Sequence, residues 1–168
     1  MAEADSYLSS EIACHARRPK RLPAVPMADY VFLPHTTDAY VQATGPTLEY
    51  ALESAGKALF DTLCNLESIV PQVTEEIELN GDDEIVLLHD WLESLLLKFE
   101  LENKVFAGFF VGRIVRSSDG LHATARISGE PYDKRKHGAK VEVKAVTYHK
   151  MEVVRQDGTT TVRFILDL

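Results

Sequence analysis

The sequence has little cysteine and no long apolar run. Its 168 residues include only two cysteines, Cys14 and Cys64, which are too few and too far apart for a disulfide framework or a cysteine-rich zinc site. Cys64 ends an apolar helical pattern, so we expect a buried thiol there. No stretch reaches the roughly 18 apolar residues of a membrane span, so we predict no membrane association.

Three common catalytic and phosphate-binding motifs are also missing. There is no glycine-rich phosphate loop, no H-E-x-x-H and no G-x-S-x-G, which argues against a self-sufficient enzyme. The net charge of −8 weakens any proposal of stable nucleic-acid binding, because phosphates need a local positive field. Glu3, Asp5 and Glu11 argue against a transit peptide. We predict a cytoplasmic protein, with a nuclear pool as well if the host is eukaryotic.

The first 26 residues differ in composition from the rest of the chain. Their stretch ARRPKRLPAVP combines four basic residues with three prolines and has no hydrophobic period. Such a stretch cannot build a core of its own. We therefore predict a flexible N-terminal extension over residues 1–26 and one domain over residues 27–168.

The remaining sequence predicts an α+β fold, in which a largely antiparallel sheet packs on two main helices. Thr47 is a good N-cap for the first helix, and Asp82 or Asp83 caps the second, which we expect to be the central buried helix. A turn is expected at Asn80-Gly81. The C-terminal part predicts two hairpins, with turns at Asp119-Gly120 and Asp157-Gly158.

Two groups of carboxylates could bind a cation. In HTTD, Asp38 is either a metal ligand or a turn cap, and spacing alone favours the cap. At the C-terminus, RFILDL alternates to its last residue, which predicts that Asp167 and the carboxylate of Leu168 are held in the sheet. Together with Asp38 they would suit a hard cation such as Ca²⁺, which takes about six to eight oxygen ligands.

Two basic stretches have ordinary structural interpretations. The stretch PYDKRKHGAK, residues 131–140, is best interpreted as a solvated loop, although it could also make an electrostatic contact with a phosphate or an acidic partner. In VEVKAVTYHKMEVV, residues 141–154, Lys144 could extend along a strand to reach solvent. His149 there is expected to be a packed core histidine.

Two segments together resemble the archease family. The first is YVFLPHTTDAYVQATGPTLEYALESAGKALFDTL, similar to the family's H-T-A-D, small-G-x-T-L-E-x-A and A-L-F pattern. The second is GEPYDKRKHGAKVEVKAVTYHKMEV followed by the terminal ILDL, and it is very specific. The resemblance runs from Tyr30 to Leu168.

The resemblance implies a non-catalytic activator of the RtcB-type tRNA-splicing RNA ligase, which uses GTP and Mn²⁺ and passes through a guanylylated histidine. Archeases promote this guanylylation, allow multiple turnover and broaden nucleotide use. The family fold contains a strand–helix–strand–strand module with an α+β insertion. The resemblance also implies a divalent-cation site, usually Ca²⁺, at Asp38, Asp167 and Leu168, and functional positions at Lys144 and His35.

Two departures from the family pattern occur. Thr37 replaces the usual alanine of H-T-A-D and adds a hydroxyl beside Asp38, and Pro34 stands where many relatives have an acid, so any ligand role of that acid is lost. We expect Lys144 to lie near Asp167 across the sheet, in one cluster of acidic groups, a lysine and a cation.

Two alternatives to the activator function remain open. One is an independent metal-dependent hydrolase, which would turn over nucleotide alone. The other is an RNA-binding or chaperone-like module, which would bind RNA in a salt-sensitive way.

Overall fold

The computed structural model describes residues 29–168, and the predicted extension over residues 1–26 lies outside the described residues. Eight strands and three helices follow one another along this part of the chain. In order they are β1 Asp29–Leu33, β2 Ala39–Gly45, α1 Leu48–Leu63, β3 Val73–Gly81, α2 Glu84–Glu102, β4 Lys104–Val111, β5 Val115–Ser117, β6 Gly120–Pro131, α3 Lys134–His137, β7 Ala145–Gln156 and β8 Thr159–Asp167.

The strands form two antiparallel sheets, which confirms the α+β class. Sheet A has the order β1-β2-β8-β7, and sheet B has the order β3-β6-β4 with β5 also paired to β6. The elements β2, α1, β7 and β8 make a strand–helix–strand–strand unit, and sheet B with α2 is inserted between α1 and β7. The last strand of the chain, β8, therefore lies inside sheet A between β2 and β7.

Helix α1 is the most deeply buried helix, so the expectation that α2 holds this place is wrong. Eleven of the sixteen residues of α1 are buried, because it packs against sheet A on β2 and against sheet B on β4. Helix α2 buries one side, which includes Trp91, and exposes Leu97 and Leu101 on the other. No helix within residues 29–168 is long and apolar enough to cross a membrane.

The ends of the elements follow local chemistry. Asp83 caps α2, since its Oδ1 accepts the backbone N–H groups of Ile85 at 2.8 Å and Val86 at 2.9 Å. The Asp157-Gly158 turn is confirmed, with φ angles of 51° and 76° that suit a tight hairpin. The turn expected at Asn80-Gly81 is wrong, because β3 continues through Gly81, which pairs with Leu121.

A buried carboxylate joins the end of β6 to the segments around it. Glu130 is 5% exposed, and its carboxylate accepts the Val70 N–H at 2.6 Å and the Gln72 side-chain amide at 3.0 Å. Lys136 Nζ lies 2.6 Å from both carboxylate oxygens, and His137 Nε2 lies 3.1 Å from Oε1. Hydrogen bonds from Lys136 and Val70 are the main reasons that the pKa of Glu130 falls from 4.5 to about 2.

Replacing this carboxylate should be strongly destabilising. We expect Glu130→Ala to lower the free energy of unfolding by about 3–5 kcal/mol, because it leaves the His137 ring and the Val70 N–H without their acceptor. Urea unfolding followed by circular dichroism measures this loss. The exposed Glu67→Ala serves as the control and should change stability by less than about 0.5 kcal/mol. Equal losses in the two variants would contradict this role for Glu130.

Acid should remove the same stabilisation. A carboxyl whose pKa is lower in the folded state stabilises the fold above its unfolded pKa, here 4.5, and this contribution is lost as the pH falls towards about 2. We therefore expect the wild-type free energy of unfolding to decline over this range more steeply than that of Glu130→Gln. Parallel pH profiles for the two proteins would show that Glu130 does not titrate as described.

Candidate functional site

The predicted site residues converge at one end of sheet A. At this end β2 begins, β8 finishes and β7 begins, because neighbouring strands are antiparallel. Ala39 pairs with Leu166 on one side of β8, and Ala145 pairs with Asp167 on the other. The residues that flank these pairs, Asp38 and Lys144, therefore border the last residues of β8.

Lys144 is bonded to the end of the chain through both its backbone and its side chain. Its N–H donates to the Asp167 carbonyl at 2.8 Å, and its Nζ donates to the backbone oxygen of Leu168 at 2.7 Å. This confirms that Lys144 lies beside Asp167. The expected strand from Val141 is wrong at its start, however, because β7 begins at Ala145 and Lys144 precedes it.

Asp38 is held within its own turn. Its Oδ2 accepts a hydrogen bond from the Thr37 hydroxyl at 2.9 Å and lies 3.3 Å from His35 Nδ1. The backbone N–H of Asp38 also donates to His35 Nδ1 at 3.3 Å. The side chains of His35 and Asp38 are only 21% and 22% exposed. The hydroxyl that distinguishes HTTD from H-T-A-D therefore bonds directly to the carboxylate.

A bulge in β7 brings Lys150 over the Tyr40 ring of β2 at this end of the sheet. The pairing of β7 with β8 shifts between Thr147 and Glu152, and Lys150 within the bulge has a φ of 54°. Lys150 Nζ lies 5.5 Å from the centre of the Tyr40 ring, which meets the His35 ring edge-on at 6.2 Å. Sequence reasoning missed Tyr40, although strand alternation places it on the same face as Asp38.

The bulge exposes His149, so its interpretation as a packed core histidine is wrong. The neighbouring Tyr148 instead contacts helix α2. Its ring stacks on His89 at a centroid distance of 4.1 Å and an angle of 4°, and His89 Nε2 lies 3.2 Å from the Val146 carbonyl. Helix α2 of the insertion therefore supports the strand that leads from Lys144.

The basic loop at residues 131–140 is exposed over most of its length and is also bonded to the fold. His137 is fully buried and Lys136 binds Glu130, while Lys140 Nζ lies 2.6 Å from Asp61 Oδ1. Most of the loop is exposed, as the interpretation of a solvated loop predicts, but three of its basic side chains also attach it to the fold. Lys134 and Arg135 are exposed and make no ion pair within residues 29–168.

The donor chemistry at the end of sheet A fits a hard cation. Within residues 29–168 no group of three His, Cys, Asp or Glu side chains could hold a metal ion. A cation here would therefore need the carboxylate of Leu168 as well as Asp38 and Asp167, and all three supply oxygen, the ligand that Ca²⁺ prefers. Lys144 Nζ already donates to the backbone oxygen of Leu168, so a cation would share that residue with it.

These features define a class of protein, a two-sheet α+β domain with an ionic cluster where its C-terminal strand ends. The profile described as the Archease protein family (MTH1598/TM1083) matches residues 30–168. The chain is 40% identical to Protein archease of Methanopyrus kandleri over 80% of this chain and 95% of the relative. It is 37% identical to Protein archease of Methanothermobacter thermautotrophicus over 84% and 100%. The chain belongs to the archease family.

Two solved structures share this fold. The solution structure of Methanobacterium thermoautotrophicum protein 1598 matches with a TM-score of 0.71 and 33% identity, covering 83% of this chain and 98% of that one. The crystal structure of an archease from Thermotoga maritima, described as a possible chaperone, matches with a TM-score of 0.51 and 23% identity, covering 81% and 94%. At this lower identity the second likeness concerns the fold alone.

Proposed function

We propose that this archease is a non-catalytic activator of an RtcB-type tRNA-splicing RNA ligase. On this proposal it promotes guanylylation of the ligase, supports multiple turnover and broadens the range of nucleotides used in tRNA splicing. Family membership supports the proposal. The observation that carries it is the placement of Lys144, Asp38, Asp167 and Leu168 at one end of sheet A, where the Lys144 side chain binds the last residue.

The cluster of Lys144, Asp38, Asp167 and Leu168 would act by contacting the ligase directly. Lys144, Asp167 and the β7 bulge residues Tyr148 to Lys150 are all exposed, so a partner could contact them without unfolding the domain. Sheet A and helix α2 hold the cluster in place, which limits the conformational entropy that docking would cost. The acidic charge of the domain would favour approach to an electropositive nucleotide-binding and RNA-binding cleft.

A divalent cation, Ca²⁺ in our proposal, would be held by Asp38, Asp167 and Leu168. When bound, it would add positive charge beside Lys144 and rigidify the turn that contains Asp38. His35 and Thr37 would orient the Asp38 carboxylate through the contacts that they already make with it. Lys144 would keep the end of β8 fixed and offer its ammonium to the partner, so phosphoryl transfer itself remains the ligase's chemistry.

Activation should depend on this cluster and not on surface charge in general. We expect Asp38→Ala and Lys144→Ala to lower stimulation of multiple-turnover RNA ligation by about tenfold or more, because each removes a group that we assign to the docking surface. The assay uses the cognate ligase with and without this protein. Lys134→Ala, which removes an exposed lysine from the basic loop, should retain full stimulation. Full stimulation by Lys144→Ala would exclude the cluster as the site that activates the ligase.

Cation binding can be measured without the ligase. We expect Asp38→Asn and Asp167→Asn to weaken Ca²⁺ binding in isothermal titration calorimetry by about tenfold or more, while Glu67→Gln leaves it unchanged. Lys144→Met should bind Ca²⁺ at least as tightly as the wild type, because it removes a positive charge beside Leu168. Unchanged binding in both aspartate variants would contradict the proposed ligands.

A further inference from the structure

A cleft lies between sheet A and sheet B, at the end of sheet A that is opposite Lys144. Its volume of about 550 Å³ falls in the range of small-molecule sites, about 300–1,000 Å³. One wall is the hairpin turn between β7 and β8, and the facing wall is β5 with the start of β6. The first residues of α1 and α2 line the rest. We call this feature the hairpin cleft.

The floor of the hairpin cleft combines apolar side chains with one hydroxyl. Leu48 is 6% exposed, and Leu121 and Thr160 are each 4% exposed. Thr160, at the start of β8, pairs with Gly45 on β2 and with Arg155 on β7. Because directly paired residues share a face of the sheet, all three lie on the face of sheet A that packs on α1. The Thr160 side chain therefore belongs to the interior of the cleft.

Thr160 differs from the other buried polar residues in its hydrogen bonding. Each of the others hydrogen-bonds to another residue, and they are Ser54, Thr62, Glu130 and His137. The Thr160 hydroxyl has no hydrogen-bond partner within residues 29–168. No fully buried side-chain nitrogen or oxygen in this part of the chain lacks a partner, so the Thr160 oxygen must be accessible from the cleft. A nearly buried hydroxyl in this position is set to bond a group that enters the cleft.

Most of the charged side chains around the cleft are already bonded. Glu84 of α2 accepts two hydrogen bonds from the Arg155 guanidinium, at 2.8 and 2.6 Å. Glu49 of α1 accepts a backbone N–H of the β4–β5 connection at 3.1 Å. Arg116 on β5 and Asp157 in the hairpin turn make no ion pair within residues 29–168. The two walls therefore offer one cation and one carboxylate that face each other across the cleft.

These unpaired groups define the chemistry of a ligand. On the sheet B wall, the Arg116 guanidinium suits a phosphate or a carboxylate, which it can bind through two parallel hydrogen bonds. On the sheet A wall, an amide, a carboxylate and two hydroxyls suit a body rich in hydroxyl groups, which both donate and accept. These side chains belong to Gln156, Asp157, Thr159 and Thr160. A purely cationic ligand would leave the arginine without a partner.

We propose that the hairpin cleft binds a small polyhydroxy anion, either a sugar phosphate or a sugar acid. Arg116 holds the anionic group, Thr160 and the turn residues hold the hydroxyls, and the bound molecule bridges sheet A to sheet B. Thr160 and Asp167 are separated along β8 by roughly 23 Å, at about 3.3 Å per residue. The proposal is therefore independent of the ligase proposal, because it concerns the other end of sheet A.

Defined probes test this ligand chemistry on the full chain. We expect ribose 5-phosphate or gluconate to bind in isothermal titration calorimetry and to shift the methyl NMR signals of Leu48 and Leu121, while those of Leu101 on the outer face of α2 stay in place. Ribose, which lacks the anionic group, should bind at least about tenfold more weakly than ribose 5-phosphate. Comparing ribose 5-phosphate with gluconate shows whether the site prefers a phosphate or a carboxylate.

Arg116 should be required for binding of the anionic group. We expect Arg116→Met, which keeps a long side chain but removes the guanidinium, to weaken binding of the better probe by about tenfold or more. Arg113→Met is the matched control, because it removes the same charge from an exposed arginine that does not line the cleft. This control should bind the probe as the wild type does. Circular dichroism of both variants verifies that the domain is folded.

The Thr160 hydroxyl should serve the ligand and not the fold. Thr160→Val keeps the shape of the side chain and removes a nearly buried hydroxyl that has no partner, so the thermal unfolding midpoint without a probe should equal or exceed that of the wild type. The same variant should bind the probe about threefold or more weakly. Thr62→Val removes a buried hydroxyl that bonds to the Ala58 carbonyl at 2.8 Å, away from the cleft, and should leave binding unchanged.

Three results would overturn the proposal. The first is that neither ribose 5-phosphate nor gluconate binds to the wild type at millimolar concentrations. The second is equal affinity of Arg116→Met and the wild type, which would place the bound probe elsewhere on the surface. The third is a lower unfolding midpoint of Thr160→Val without a probe, which would mean that this hydroxyl stabilises the fold itself.

Discussion

The buried carboxylate of Glu130 is the interaction on which the rest of this structure depends. Glu130 belongs to strand β6 of sheet B, and both the segment that leads from α1 into β3 and the short helix α3 present hydrogen-bond donors to its carboxylate. A carboxylate that is 5% exposed is costly to bury unless each of its oxygens is satisfied. Its neighbours must therefore form together, which ties the position of the basic loop to the integrity of sheet B.

A second constraint joins the insertion to the cluster at the end of sheet A. His89 on α2 stacks on Tyr148 and approaches the Val146 carbonyl, so the insertion contacts β7 just beyond Lys144. Trp91 on the same helix donates its indole N–H to the Leu52 carbonyl of α1 at 2.7 Å in the core. Helix α2 thus connects the buried core to the exposed start of strand β7, while Leu97 and Leu101 on its outer face are exposed.

Sequence reasoning succeeded where the determining interactions are local or follow strand periodicity. The Asp83 cap and the Asp157-Gly158 turn depend on neighbouring residues, and pairing within a hairpin was enough to place Lys144 beside Asp167. It failed for His149, because the exposure of that residue results from a register shift against β8 that no local pattern encodes. It also missed the environment of Glu130, whose partners come from segments as far apart as Val70 and His137.

The position of β8 has a consequence for how the protein is made. Gly45 in β2 pairs with Thr160, and Ala39 pairs with Leu166, so sheet A cannot close until nearly the whole chain has left the ribosome. The inserted sheet B lies entirely within residues 73–131, so all of its strands are available earlier. During synthesis the edge of β2 that pairs with β8 therefore stays unpaired after the β1–β2 hairpin has formed. A chaperone would be of most use at this exposed edge.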